Sequence, residues 1–289
     1  MDVAVVIPVY DLKEPLKRAV ESVMAQTEPV KEIVVVDDGS THTPATETLE
    51  GLTDRRLRLL FQPNLGVSAA RNLGIKATKA EWVAFLDSDD HWLPEKNAKQ
   101  LEFHLDHPEH LISQTDEFWH RNEVLVNPKE YHAKPAGNIF DKSLERCLIS
   151  PSAVMMKRSL LNDVGLFDPT FPACEDYDLW LRVTARHPVG LISEQLVVKT
   201  GGHEDQLSQK HWGMDRFRVR ALRKIIDGGT LSDDQRWAAL QVLMTKLSIL
   251  EAGSRKRGKT AEAQLYVQLR EIYTEPRGEN LTLFPDDAL

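Results

Sequence analysis

Near the start of the chain, short apolar runs alternate with segments of helical spacing. Val3 to Val9 is almost continuously apolar, interrupted by Pro8, which is how a strand covered on both faces reads. From Pro15 to Gln26, the residues Leu16, Ala19, Val20 and Val23 fall on one side of a helix. Glu32 to Val36 predicts a second buried strand, Leu57 to Phe61 a third and Trp82 to Leu86 a fourth. A helix over Gly66 to Ala77 separates the last two. Strands that alternate with helices must pair in parallel, so the spacing predicts a doubly wound α/β sheet. Ligands of such sheets bind beyond the carboxyl ends of the strands. Asp37-Asp38-Gly39-Ser40 and Asp87-Ser88-Asp89-Asp90 each close a predicted strand, so both clusters are expected to face one crevice.

The pattern changes further on. His104 to Asp141 is irregular, with loop signals at Asn127-Pro128 and Lys134-Pro135-Ala136-Gly137. Ser159 to Val164 predicts a short helix, Glu175 to Arg186 a longer one, and Leu191 to Lys199 a returning strand. After Gly201-Gly202 the spacing is helical over His211 to Ile226, Asp233 to Ala252 and Thr260 to Tyr273. Gly228-Gly229 and a basic turn from Gly253 to Gly258 separate these helices. The chain therefore divides into a core domain, residues 1–210, and a C-terminal helical region, residues 211–289.

Composition narrows the function. Among 289 residues the net charge is -8, a poor basis for binding nucleic acid, which calls for a basic face. The two cysteines, Cys147 and Cys174, form no CxxC pair, so neither a zinc site nor a disulfide framework is indicated. The N-terminus lacks the basic start of a signal peptide, and no apolar stretch reaches the roughly 18 residues of a membrane span. A cytoplasmic protein, soluble or peripheral at the inner face of a membrane, is expected.

Five groups of residues carry chemistry. Asp87 and Asp89 at a strand end can share a hard cation such as Mg²⁺ or Mn²⁺, or can cap the helix that Leu93-Pro94-Glu95 opens. Asp38 can accept hydrogen bonds from a nucleobase or ribose, or can belong to an Asp-Gly-Ser turn. Arg71 offers a fixed fork of donors suited to phosphate or a base edge, or is a solvated helix residue. Glu175, Asp176 and Asp178 suit the positive end of a helix dipole, and one of them can also serve as a general base. His203, after the double glycine, can complete a metal site or touch a diphosphate; a lone histidine is also commonly structural.

In order, the matching pieces are Val6-Ile7-Pro8-Val9-Tyr10, Val36-Asp37-Asp38-Gly39-Ser40 and Asn64-Leu65-Gly66 with Ala69-Ala70-Arg71-Asn72. They continue with Phe85-Leu86-Asp87-Ser88-Asp89-Asp90, Gly165-Leu166-Phe167-Asp168 and Glu175-Asp176-Tyr177-Asp178-Leu179-Trp180. As a set they resemble the family 2 glycosyltransferases, from Val3 to about Ser208. The resemblance implies the GT-A fold, a mixed and mostly parallel sheet flanked by helices, here with a helical appendage. It implies inverting transfer of a sugar from a nucleotide sugar, with UDP favoured, to a hydroxyl of a glycan or lipid-linked acceptor. Pro8 and Tyr10 would line the base pocket, Asp38 would bind the base, and Arg71 would reach the base or diphosphate. Asp87 would contact the ribose and, with Asp89 and His203, the metal. Asp176 would be the general base, with Glu175 beside it.

One departure is informative: processive members carry a Gln-x-x-Arg-Trp stretch and membrane spans. Here Gln235-Arg236-Trp237 lacks that spacing, which points to transfer of one sugar per encounter.

Competing readings fare less well. A Rossmann dehydrogenase needs a glycine-rich turn after the first strand, and Pro8-Val9-Tyr10-Asp11-Leu12 has none. A sugar nucleotidyltransferase should show a Gly- and Arg-rich phosphate loop near the N-terminus. A non-catalytic nucleotide-sugar-binding protein would not need Asp87, Asp89 and Asp176 together. Finally, residues 216–226 form a basic helical stretch whose Phe217, Leu222, Ile225 and Ile226 could meet an anionic membrane, or could pack on the domain with the arginines solvated.

Overall fold

The computed structural model describes residues 1–121, 124–126, 133–201 and 213–274. Its sheet begins as the apolar runs require. Strands β1 (Val3–Val9), β2 (Glu32–Asp37), β3 (Leu57–Phe61) and β4 (Trp82–Phe85) lie parallel in the order β3-β2-β1-β4. Every residue of β1 is buried because both faces are covered. Val5, Ile7 and Val9 join Leu16, Ala19, Val20 and Val23 of helix α1 (Glu14–Met24) in one core. Val6 points the other way, into a second core with Val34, Val36, Ala70 and Ile75. Pro8 is tolerated in this central strand because β4 ends at Phe85, opposite Val6, so the N–H that proline lacks has no strand to serve.

Beyond β4 the sheet becomes mixed. Strand β8 (Val154–Lys157) runs antiparallel to β4, and β6 (Ile112–Arg121) runs antiparallel to β8. Next to β6 lies β9 (Gly190–Gly201) in parallel, and β5 (His91–Trp92) closes that edge; β7 (Val124–Val126) pairs with β6 alone. The sequence pattern does not reveal β6. Its Ser113, Gln114 and Thr115 are fully buried although polar; Gln100 of helix α4 (Lys96–Asp106) donates to Ser113 Oγ at 3.1 Å, and Lys134 donates to the Thr115 carbonyl at 3.0 Å. Buried polar side chains stand here in place of the apolar alternation that marks an ordinary strand.

Helices α2 (Ala45–Thr48), α3 (Val67–Ala77), α5 (Phe140–Glu145), α6 (Arg158–Val164) and α7 (Glu175–Thr184) complete this part. The C-terminal helices are α8 (Asp215–Asp227), α9 (Asp233–Lys256) and α10 (Thr260–Thr274). One expectation needs correction. The basic turn expected at Gly253 begins later, because α9 runs through Gly253 to Lys256. Ser254 is buried there and its Oγ donates to Glu262 of α10 at 2.7 Å, so packing outweighs the roughly 1 kcal/mol that a helical glycine costs.

Of the two readings of residues 216–226, α8 takes the packed one: Leu222, Ile225 and Ile226 are buried in a third core with Phe171, Tyr177 and Leu181. Its basic residues are tied to the same domain: Arg220 donates to the Thr170 carbonyl at 2.8 Å, and Lys224 reaches Asp168 at 2.7 Å. Among the described residues, no helix is long and apolar enough to cross a membrane.

Two predictions follow from this packing. Gly74 of α3 lies against β1 so closely that a Cβ would sit 2.3 Å from Val6 Cγ1. Gly74→Ala is expected to lower stability by ~1–3 kcal/mol, read as a lower urea midpoint with unchanged slope. An unchanged midpoint would mean that α3 is not held against β1 in this way.

Asp168 fastens α8. Partial burial works upward on its carboxyl, but the Lys224 and Thr170 hydrogen bonds pull it down to about 2. A depressed folded value stabilises above the unfolded value, near 3.9, and that contribution disappears as pH falls through about 2. Asp168→Asn should therefore flatten the stability–pH curve between these values; an unaltered acid limb would remove Asp168 from that role.

Candidate functional site

At the carboxyl end of β4 the chain turns through Asp87, Ser88, Asp89 and Asp90, and burial sorts these residues. Ser88 and Asp90 are buried, while Asp87 and Asp89 are half-buried. Asp90 is a structural anchor. Its Oδ1 accepts from the Thr200 N–H at 2.9 Å and its Oδ2 from Ser152 Oγ at 2.6 Å. The same Ser152 Oγ accepts the Asp87 N–H at 3.1 Å, which holds the turn against β8. Burial raises the Asp90 carboxyl to about 8, aided by Asp89 and Asp87 and opposed by Lys199, whose Nζ lies 4.0 Å away. The Arg18 guanidinium donates to the Asp89 carbonyl at 3.0 Å and steadies the turn from α1. Asp87 and Asp89 are a half-buried pair of carboxylates two residues apart, an all-oxygen donor set of the kind that suits a hard divalent cation. Among the described residues, the grouping of three metal-capable side chains lies elsewhere, at His107, Glu109 and His110 between α4 and β6.

Arg71 joins this turn to α7. It is 3% exposed, donates from Nη1 to Glu175 Oε1 at 2.7 Å and from Nη2 to Asp87 Oδ1 at 2.7 Å, and lies 5.1 Å from the Phe167 ring centroid. The sequence offers this fork to a phosphate or base; in the structure two carboxylates hold it. Burial alone would favour loss of the Arg71 proton, but Asp87 and Glu175 more than offset it and the guanidinium stays charged. Asp87 is drawn below its ordinary value, since the pull of Arg71 and Lys199 overcomes burial. Glu175 moves the other way, pushed up by burial and by the neighbouring Asp176 against the pull of Arg71.

Asp176 stands in the first turn of α7 and is half-buried. Its Oδ1 accepts the Tyr177 N–H at 2.7 Å and its Oδ2 accepts the Cys147 thiol at 3.2 Å. Burial and the adjacent Asp176 push that thiol well above its ordinary value, so it remains a donor. Cys174, just before the helix, has φ 61°, and Asp11 has φ 49°. These are the non-glycine residues with left-handed backbone among those described, and both border candidate site residues.

The second acidic cluster builds the opposite wall. Asp38 Oδ1 accepts from Gln62 Nε2 at 2.6 Å and the Leu65 N–H at 2.9 Å, and Oδ2 accepts from the Gly66 N–H at 2.9 Å. In this state Asp38 positions the loop that starts α3, and thereby Arg71. Gly39 permits the approach: at φ 80° a Cβ would lie 2.7 Å from the Asn64 nitrogen. Asp37 binds the Ser40 and Ala45 N–H groups at 2.7 and 2.9 Å. Pro8 is buried at the end of β1, whereas Tyr10 is 43% exposed beside the cluster.

Sequence reasoning missed Asp11, which accepts the Thr41, His42 and Thr43 N–H groups at 2.9, 2.7 and 3.1 Å. Against a burial effect that works upward, these bonds hold its carboxyl below the usual range. It also missed Ser152, Lys199 and Cys147, which no local motif distinguishes. Asp90 was visible in the acidic run, but not its burial. His203 lies outside the described residues.

Comparison with known proteins agrees with this architecture. The profile for Glycosyl transferase family 2 matches residues 4–165. An uncharacterized glycosyltransferase of Rickettsia felis is 34% identical over 200 residues, covering 67% of this chain and 32% of the relative. The matched region thus spans about a third of the length of that relative. The UDP-Glc:alpha-D-GlcNAc-diphosphoundecaprenol beta-1,3-glucosyltransferase WfgD of Escherichia coli is 29% identical over 195 residues, covering 66% of this chain and 73% of the relative. Among solved structures, S. aureus TarS 1-349 in complex with UDP-GlcNAc superposes with a TM-score of 0.69 at 20% identity, covering 95% of this chain and 82% of that 1-349 chain. The fold expected from the motifs, GT-A with a helical C-terminal region, is the fold observed.

The Arg71 cluster has a direct energetic consequence. Arg71→Met leaves Glu175 and Asp87 without their buried counter-charge and is expected to cost ~3–5 kcal/mol in urea denaturation at neutral pH. A loss below about 1 kcal/mol, the scale of an exposed pair, would show that the cluster is solvated.

Proposed function

This chain belongs to glycosyl transferase family 2, and on that premise we propose that it is an inverting glycosyltransferase. It moves a single sugar from a nucleoside diphosphate sugar, with uridine as the favoured base, to a hydroxyl of a lipid-linked glycan acceptor. The observation that carries the reading is the Arg71 bridge. It ties Asp87, on the donor-side turn, to Glu175, the neighbour of Asp176, so the two halves of an inverting site share one crevice. The E. coli relative, named for a UDP-glucose donor and a diphosphoundecaprenol-linked acceptor, supports the substrate classes.

In this mechanism Asp176 takes the proton of the acceptor hydroxyl while that oxygen attacks the anomeric carbon, and the bond to the nucleoside diphosphate breaks on the opposite face. The Cys147 thiol and the Tyr177 N–H hold the two Asp176 oxygens, so the base is oriented before substrate arrives. Glu175 acts through Arg71 by keeping the start of α7 against the donor turn. Pro8 and Tyr10 border the base, with Asp38 accepting from its edge through capacity left beyond its loop contacts. A Mg²⁺ or Mn²⁺ ion at Asp87 and Asp89 would supply positive charge to offset the leaving diphosphate. His203 is assigned to the diphosphate side on the family resemblance alone.

Two measurements test this. Calorimetry with UDP, GDP and TDP, in Mn²⁺ and again in EDTA, should show metal-dependent binding of one diphosphate, with UDP preferred. Folded protein that binds none of them would indicate a non-catalytic relative. Asp176→Asn should lower kcat by about 10²–10⁴-fold while leaving affinity for the diphosphate unchanged. Near-normal turnover in that variant would assign the base elsewhere.

A further inference from the structure

A group of metal-ligating side chains that the proposed chemistry does not use lies where α4 meets β6. Helix α4 ends at Asp106, and the His107 N–H donates back to the Phe103 carbonyl at 2.8 Å. His107-Pro108-Glu109-His110 then closes a tight turn, in which the His110 N–H donates to the His107 carbonyl at 3.1 Å. Pro108 holds the second turn position, where its fixed φ favours the reversal. The turn gathers its own side chains: His107, Glu109 and His110 each offer a ligand atom within 4.8 Å of the other two. Glu109 Oε1 lies 3.0 Å from His110 Nδ1 and 3.7 Å from His107 Nδ1. With bonds of about 2.0–2.1 Å, the ligand atoms of a tetrahedral zinc ion stand about 3.3 Å apart. The two observed separations bracket that spacing, so shifts of a few tenths of an ångström would seat the ion.

The surroundings hold this arrangement. The Phe103 ring lies 4.7 Å from the His107 ring and 5.5 Å from the His110 ring, centroid to centroid. Phe103 is itself seated on Gly190 of β9, where a Cβ would come within 2.3 Å of the ring. His104 Nδ1 donates to the His110 carbonyl at 3.1 Å, and its Nε2 accepts from Ser113 Oγ at 2.9 Å. The last turn of α4, the tight turn and the first residues of β6 are thereby tied together, an outer shell of the kind that orients metal ligands. The donor set also differs from that of Asp87 and Asp89. Two imidazoles and one carboxylate suit Zn²⁺, whereas paired carboxylates suit Mg²⁺.

We propose that His107, Glu109 and His110 form a zinc site that staples the end of α4 to the start of β6, with water as the fourth ligand. Its role is structural, because the topology places it away from the donor turn. Ile112 pairs with Met156, and Met156 with Val83, so β6 runs in the same direction as β4 and begins near its amino end. The turn before Ile112 therefore lies at the amino ends of these strands, whereas Asp87 and Asp89 follow the carboxyl end of β4. The ion joins segments that the unfolded chain does not hold together, so its binding free energy adds to the stability of the fold. The inference is independent of the transferase reading.

The test titrates Zn²⁺ into the full chain by calorimetry in excess Mg²⁺, which competes for oxygen-only sites and leaves imidazole sites to zinc. His107→Ala and Glu109→Gln are the comparison variants; both side chains are exposed, so the fold should persist, as far-UV dichroism would verify. The wild type should bind zinc at one site and gain melting temperature from it. Each variant should bind at least about tenfold more weakly and lose that gain, with UDP affinity unaltered. Equal zinc affinity in all three proteins would place the ion elsewhere, and no binding by the wild type would leave a turn held by ion pairs alone; either result overturns the proposal. So does a loss of UDP affinity in the variants, which would remove the separation between this turn and the donor site.

Discussion

Arg71 is the residue on which the site depends. Its position is set from three directions: by α3, which begins where Asp38 fixes Leu65 and Gly66; by Asp87 at the end of β4; and by Glu175 at the start of α7. A buried guanidinium is costly unless its charge is compensated, and both carboxylates share that compensation here. Neither acid can move far without stranding the cation. The distance between the donor-side turn and the proposed base is therefore governed by one ion-pair network, not by the loops that connect them.

The same network explains why the acidic residues take different roles although the sequence presents them alike. Asp90 is enclosed by Ser152 and Thr200, and burial raises its carboxyl, so it is poorly suited to bind a cation. Asp87 stays ionised beside Arg71. Asp89 is half-buried on a turn that Arg18 secures. Four consecutive residues thus divide into a half-buried pair and a buried pair, with side-chain partners drawn from α1, α3 and β9 and from the 3-10 turn before β8.

That division marks the limit of what could be read in advance. The first four strands were legible because each is an apolar run covered on both faces, and the placement of both acidic clusters followed from strand order. Strand β6 was not, because Ser113, Gln114 and Thr115 are polar yet fully buried, and the Gln100 and Lys134 contacts made there come from outside the strand. The Arg71–Glu175 contact spans 104 residues, and no local spacing announces it. Cys147 reaches Asp176 from the stretch between Asp141 and Ser159, where the pattern predicts no element. Gly253 looked like a helix end because glycine usually weakens helices; packing of α9 on α10 overrode that preference.

The boundary drawn near residue 210 separates two patterns, but it does not separate two cores. Tyr177, next to Asp176, lies in the core that also contains Val219, Leu222, Leu243 and Leu247, and its hydroxyl donates to the Leu144 carbonyl. Phe171 and Leu181 belong to the same cluster. On one side α7 is held by Arg71 through Glu175; on the other it is held by the C-terminal helices through Tyr177 and Leu181. Lys224 adds a charged tie from α8 to Asp178, one turn from the start of α7. The orientation of Asp176 is therefore determined jointly by the sheet and by the helices beyond it, and those helices form part of the scaffold of the site.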